Sequence, residues 1–161
     1  MTTVVFPGKF DPISMGHLDI IKRANQLFDR VVVAVYETPS RPTLFSTDER
    51  KDLISATLTG MSGVEVDSFS GLLVDYVHAK GAQAMLRGLR LGSDFEYEFE
   101  MALMNRKLAP GIDVVCLITS IEYQFVRSSL LKEVAELGGD ISGLAPSNVI
   151  TALSRRLSTR A

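Results

Sequence analysis

With 161 residues, 46% of them apolar and 22% charged, the chain is long enough to bury a core and too apolar to stay disordered. A net charge of −2 excludes a general attraction to nucleic acid or anionic membrane, so any basic site must be local. A lone cysteine, Cys116, excludes an internal disulfide and suits a reducing cytoplasm. There is neither a signal-like leader nor an apolar run of membrane length, which points to a soluble, unexported chain forming one domain over 1–161.

The first strand is expected at Thr3–Phe6, followed by a helix with Leu18, Ile21, Ala24, Leu27 and Phe28 on one face. Between them lies "FPGKFDPISMGH", residues 6 to 17, which holds more glycine and proline than a plain turn needs. Gly8 allows a sharp exit from the strand, Pro12 stiffens the loop, and Ser14 is a good N-cap. Met15 and Gly16 then open the helix and His17 takes its third position, beside free N–H groups and the positive end of the helix dipole. Two readings of this junction follow: an anion site in which bare Gly16 admits a ligand and His17 bonds a phosphate, or a capped turn carrying a surface histidine.

A second strand, Arg30–Tyr36, leads into "STDERKDLISATL", which opens with a capping box from Ser46 to Glu49. A third strand, Val64–Phe69, precedes "GLLVDYVHAKG", which ends on Gly81 as a C-cap and carries His78 as a solvated residue. The fourth strand, Ala82–Leu86, is followed by "RGLR" and by "SDFEYEFEMALMNRKL". This segment has a second capping box, Ser93 to Glu96, and a stripe of Phe95, Phe99, Ala102 and Leu103; Pro110-Gly111 stops it. The stripe and its aromatic neighbours occupy more than one face, as expected of a helix buried in the core and against a neighbour. A fifth strand, Ile112–Ile118, places Cys116 as a buried, unreactive thiol. The helix "SSLLKEVAELGG" ends on two glycines, and a last helix from near Pro146 turns Val149, Ile150, Leu153 and Leu157 inward.

This alternation predicts an α/β fold: a Rossmann-like, doubly wound, five-stranded parallel sheet with helices on both faces and a C-terminal helix. Ligands of such sheets sit beyond the carboxyl ends of the strands. The loops after strands one, two, four and five share that rim. Two arginines three apart, Arg87 and Arg90, follow strand four directly, with Gly88 turning the backbone between them; they favour an anion site over a solvated basic turn.

"PGKFDPISMGH" resembles the signature of the adenylyl- and cytidylyltransferases that ends in a Gly-His pair. "RGLR", "DFEYE", "MN" and "SSLLKEVAELGGD" extend the resemblance from Val4 to about Leu157, and most closely to the bacterial branch acting on 4'-phosphopantetheine. The Gly-His pair alone is weakly specific; the combination is strongly so. The resemblance implies that ATP and 4'-phosphopantetheine give dephospho-CoA and pyrophosphate. It implies catalysis by positioning and charge rather than by a covalent nucleophile. It gives His17 the α-phosphate in the transition state and Arg90 a second hold on the ATP phosphates; Arg41 and Lys9, at positions where other residues are usual, are expected to act beside them. Its ATP-binding positions fall on Lys9, Phe10, His17, Gly88, Leu89, Arg90, Glu98 and Tyr123, Gln124, Phe125, Val126, Arg127, Ser128 and Ser129; its substrate contacts fall on Lys9, Arg41, Leu73 and Arg87. Ser128 and Ser129 could equally be plain N-caps, and Glu98 a solvated carboxylate. Mg²⁺ is implied as a cofactor bridging triphosphate oxygens; no carboxylate cluster reads as a metal cage, so no protein ligand is named for it. A homohexamer built from two trimers and feedback by CoA are implied as well.

Three positions depart from the pattern. Lys9 stands where Thr or Ser is usual, Arg41 where Lys is usual, and Arg127 where a third Ser is usual. Lys9 can supply the compact ammonium that Arg41 no longer offers, can point to solvent, or can block the pocket. Three other functions compete: another nucleotidyltransferase using a nicotinamide or flavin mononucleotide or a glycerol phosphate, a nucleotide sensor without catalysis, and a structural subunit.

Overall fold

The computed structural model describes residues 1–39 and 42–158. Its strands are β1 (Thr3–Gly8), β2 (Arg30–Tyr36), β3 (Val64–Phe69), β4 (Ala84–Leu89) and β5 (Asp113–Ile118). Its helices are α1 (Met15–Leu27), α2 (Thr47–Thr57), α3 (Leu73–Ala79), α4 (Gly92–Leu108), α5 (Ser128–Glu136) and α6 (Ser147–Ser158). All strand pairs are parallel, in the order β3-β2-β1-β4-β5. This is the expected doubly wound, Rossmann-like sheet, with its order reversing between β1 and β4.

Alternate residues of the central strands feed two cores. Val4, Phe6, Val31 and Val33 pack with Ile20 and Ile21 of α1, Ile54 of α2, Leu131 of α5, and Val149 and Leu153 of α6. Val5, Val32 and Met85 pack on the opposite face with Val74 and Val77 of α3. Coverage of both faces is why β1 and β2 read as unbroken apolar runs. In α6, Ile150 and Leu157 are only half-buried, and in α1 Leu27 is exposed, its place in the stripe taken by Ile20.

Strand β4 starts and ends later than expected. Arg87, Gly88 and Leu89 continue the ladder opposite Cys116, Leu117 and Ile118, so Arg87 lies inside the strand and only Arg90 follows it. Gly88 is therefore not a turn; a Cβ there would lie 3.2 Å from Ile20 Cγ1, and the bare residue lets α1 approach. Edge strand β5 leaves Cys116 exposed, contrary to expectation. What burial the thiol has, with Glu98 nearby, pushes it up against the opposing pull of Arg87 and keeps it protonated.

The capping box from Ser46 to Glu49 forms in both directions, and Gly81 takes a left-handed φ of 63° after α3. The box from Ser93 to Glu96 does not form. Asp94 pre-empts it: its Oδ2 accepts from the N–H groups of Arg90 (3.1 Å) and Leu91 (3.4 Å), so α4 starts at Gly92.

Helix α4 is less buried than expected, and of the Phe95, Phe99, Ala102 and Leu103 stripe only Ala102 turns inward. Phe95, Phe99 and Leu103 are more than half exposed, and no residue of the helix is buried. Its inward stripe is Asp94, Glu98, Ala102 and Asn105, two carboxylates and an amide turned toward β4.

Candidate active site

A cleft of about 580 Å³ opens beyond the carboxyl ends of β1 and β4, between the β1–α1 loop and the starts of α4 and α5. Lys9, Arg87, Arg90, Arg127 and Lys132 line it, against the carboxylates of Asp11, Asp94 and Glu98. Among the described residues the cleft is thus net positive in a chain of net charge −2.

His17 sits at the third position of α1, as the spacing predicts, and completes a capping box of its own. The Ser14 N–H donates to His17 Nδ1 (3.0 Å), while the His17 N–H donates to Ser14 Oγ (3.3 Å). Because Nδ1 is an acceptor, the neutral ring carries its proton on Nε2 and can donate from there. Burial, and then the Arg90 guanidinium, hold its pKa down to about 4, so the ring is neutral near pH 7. Between the ordinary value near 6.5 and 4, the unfolded chain binds a proton that the folded chain excludes. This contribution to stability is complete above pH 6.5 and is lost as pH falls toward 4. Urea unfolding across that range is expected to show His17→Gln losing less stability than the parent; equal losses would contradict the assignment.

The first turn of α1 is less open than expected. Met15 N–H donates to Leu144 O (2.9 Å) and His17 N–H is capped, which leaves the Gly16 N–H without a protein acceptor among the described residues. A Cβ on Gly16 would meet Ser14, Thr119 and Tyr123 at 3.6 Å, an ordinary contact, so the missing side chain is not demanded by the protein itself. Gly8 serves Phe10 rather than a turn: a Cβ at Gly8 would come within 2.9 Å of that ring.

Arg87 and Arg90 are each held by a carboxylate of α4. Glu98 takes the Nε and NH2 of Arg87, both at 2.6 Å, and Pro7 O takes NH1 at 3.3 Å. Two of its five N–H groups remain for a ligand. Asp94 accepts from Arg90 Nε (3.2 Å). Glu98, assigned by resemblance to ATP, thus stands in the single chain as the partner of Arg87.

Of the remaining expected residues, Lys9, Phe10, Gly88, Val126, Arg127, Ser128 and Ser129 line the cleft; Leu73, Leu89, Tyr123, Gln124 and Phe125 do not. Arg41 lies outside the described residues. Arg127, not a serine, is the N-cap of α5, without a side-chain cap bond. Ser128 instead donates its hydroxyl to Pro12 O (2.7 Å), and Ser128 and Ser129, which open α5 where first-turn amides lack partners within the helix, line the cleft.

Sequence reasoning missed Asp11, Arg50, Asp94 and Lys132. Asp11 is 5% exposed and accepts from Leu44 N–H (2.9 Å), Phe45 N–H (3.0 Å) and Lys132 Nζ (2.6 Å), joining three segments around the cleft. Asp11, Asp94 and Lys132 lie inside the quoted motifs, but their partners are not visible there.

Residues 5–134 match the Cytidylyltransferase-like family model. The chain is 49% identical over 156 residues to the phosphopantetheine adenylyltransferase of Alkaliphilus metalliredigens, covering 97% of this chain and 99% of that relative. It is 51% identical over 158 residues to the phosphopantetheine adenylyltransferase of Thermomicrobium roseum, covering 96% and 95%. Among solved structures, "a Putative Nicotinate-nucleotide Adenylyltransferase from Vibrio parahaemolyticus" superposes with a TM-score of 0.69 at 18% identity, covering 95% of this chain and 99% of that one, a likeness of fold alone.

Proposed function

The chain belongs to the phosphopantetheine adenylyltransferases, among the cytidylyltransferase-like nucleotidyltransferases, and we propose that the cleft around His17 is where it performs their reaction. The enzyme transfers the adenylyl group of ATP to 4'-phosphopantetheine, giving dephospho-CoA and pyrophosphate, a step of coenzyme A biosynthesis. A phosphate oxygen of 4'-phosphopantetheine bonds to the α-phosphorus as the bond to the departing pyrophosphate breaks. A phosphate monoester needs no base to attack, so the side chains act by holding charge in place.

His17 donates its Nε2 proton to an α-phosphate oxygen, a bond that strengthens as charge grows there in the transition state. Arg90, aimed by Asp94, and the amides opening α5 hold the β- and γ-phosphates. Arg87, held by Glu98, faces the phosphopantetheine arm with its remaining donors. The observation that carries this reading is the bond from Ser14 N–H to Nδ1, which leaves a neutral Nε2–H donor on a residue lining a cleft of net positive charge.

Among the described residues, no three His, Cys, Asp or Glu side chains converge as a metal cage. The three cleft carboxylates are each bonded to a cation of the protein. With those carboxylates engaged, a Mg²⁺ would arrive on the triphosphate itself and would supply charge neutralisation there. Lys9, exposed on the cleft wall, is proposed to share the substrate phosphate with Arg41; non-additive rates for Lys9→Thr and Arg41→Lys would support this, and additive ones would oppose it.

A homohexamer of two trimers belongs to the same proposal, supported by the outward apolar face of α4 with Phe95, Phe99 and Leu103. Sedimentation is expected to give six copies for the parent and fewer for Phe99→Glu; a monomeric parent would contradict it. CoA carries both the nucleotide and the pantetheine arms, so feedback at this cleft is expected as inhibition competitive with 4'-phosphopantetheine. Residence in the cytoplasm is proposed from the single free thiol and is tested by fractionation.

The deciding assay supplies ATP, Mg²⁺ and 4'-phosphopantetheine and identifies products by mass. Dephospho-CoA and pyrophosphate are expected only with both substrates present. Turnover with nicotinamide mononucleotide, flavin mononucleotide or glycerol phosphate instead, or nucleotide binding without turnover, would overturn the reading.

A further inference from the structure

Among the described residues, the largest fully buried side chain is a cation. Arg50, on the first turn of α2, is 1% exposed and forms no ion pair among the described residues. Burying a guanidinium without a contacting anion is unfavourable, and an apolar side chain would fill the space at less cost. Its charge is met at contact by oxygen atoms, with the Asp11 carboxylate acting on it from further away. NH1 donates to Lys9 O (2.7 Å) and Tyr36 O (3.0 Å), Nε to Ser46 O (3.3 Å), and NH2 to Thr47 Oγ1 (3.0 Å).

The first of these acceptors leads to the catalytic ring. Lys9 precedes Phe10, which has a φ of 46°, the single left-handed non-glycine among the described residues. Such a conformation in a bulky residue persists only where its surroundings enforce it. The Lys9 carbonyl belongs to the peptide whose orientation defines that φ. With this backbone, the Phe10 ring is 2% exposed, takes the space a Cβ on Gly8 would need, and meets His17 edge-on at 5.0 Å. The second acceptor, Tyr36 O, ends β2, so one guanidinium ties the β1–α1 loop to the start of the β2–α2 loop.

We propose that Arg50 is a positioning residue of catalysis: by gripping the Lys9 carbonyl it holds Phe10 left-handed, and the Phe10 ring in turn sets the plane of His17 toward the α-phosphate. Arg50 touches no substrate; it acts through two intermediaries. Asp11, the next residue in the loop, makes the second tie to the same neighbour through Leu44 and Phe45. The inference rests on the role given to His17 above.

The test uses the full chain carrying Arg50→Met or Arg50→Lys, with Val149→Ala as a comparator that weakens the same core away from the cleft. Arg50→Met is expected to lower kcat about 100-fold, the scale of a small misplacement in an active site, with KM for ATP shifted much less. Arg50→Lys recovers roughly tenfold of that, because an ammonium can still reach one carbonyl. In ¹⁵N spectra of the imidazole, the parent shows the Nε2–H tautomer alone and Arg50→Met shows a mixture. If Arg50→Met does not fold, the Arg50→Lys and Phe10→Gly cycle decides: the lysine effect must shrink once the ring is gone. Additive effects in that cycle, full kcat in Arg50→Met, an unchanged tautomer beside lost activity, or an equal kcat loss in Val149→Ala overturn the proposal. His17→Ala is assayed in parallel. If it stays fully active, the role of His17 fails, and the tautomer signal alone then decides whether Arg50 orients the ring.

Discussion

Replacing His17 with alanine is expected to lower kcat by about 10²–10³-fold, the scale found when one donor to a developing oxyanion is removed. The KM for ATP should move far less. The ring is clamped at Nδ1 by the Ser14 N–H, so its single proton stands on Nε2, and burial with Arg90 alongside keeps it neutral. A neutral donor binds a ground-state phosphate modestly and gains most as charge builds on the α-phosphate. Loss of the ring also removes half of a capping box, a separate cost to stability of about 1 kcal/mol that thermal unfolding would register. His17→Asn keeps an N–H donor without the clamp and should fall between the two. Pyrophosphate release under saturating substrates measures all three; a kcat for His17→Ala within a few-fold of the parent would remove the imidazole from the mechanism.

Glu98→Ala is expected to raise the KM for 4'-phosphopantetheine roughly tenfold or more while leaving the KM for ATP nearly unchanged. The reason is the fork between Glu98 and Arg87, with both distances at 2.6 Å and the two side chains 11% and 28% exposed. A hydrogen bond to a charged group in such a setting is worth about 1.5–3 kcal/mol, and here it fixes an arginine rather than a substrate. Without it the guanidinium keeps only its 3.3 Å bond to Pro7 O and turns freely. Glu98→Gln, which retains an acceptor, should do less harm. Resemblance assigns Glu98 to ATP, so the two substrates' KM values separate the readings: a rise confined to ATP would put Glu98 on the nucleotide and leave Arg87 to orient itself.

The paired carboxylates of α4 also show where a sequence is hard to read. Periodicity assumes that the apolar side of a helix turns inward, yet Asp94 and Glu98 face β4 while Phe95 and Phe99 face out. The capping box at Ser93 failed for a related reason, since Asp94 was already bonded to the backbone of Arg90 and Leu91. Where local chemistry and packing agree, the reading was sound. Val4, Val5 and Val31 to Val33 are fully buried and formed strands as an unbroken apolar run suggests, and Ser14 and Ser46 capped their helices. Strand β4 ran past its expected end because Arg87-Gly88-Leu89 resembles a turn in isolation but finds a ladder on β5.

The rim of loops and the helical position of His17 were legible because they follow from strand order and a cap. The supports beneath them were not. Arg50 reaches Lys9 across 41 residues and Lys132 reaches Asp11 across 121, pairings that no local pattern announces. Cys116 was misplaced because an edge strand carries the same β-branched run as a buried one.

His17 marks the place of one phosphate. A crystal structure with a non-hydrolysable ATP analogue and Mg²⁺ should show an α-phosphate oxygen about 2.7–3.1 Å from His17 Nε2, with Arg90 on the outer phosphates. A nucleotide seated elsewhere, or one whose α-phosphate lies beyond reach of that nitrogen, would contradict it.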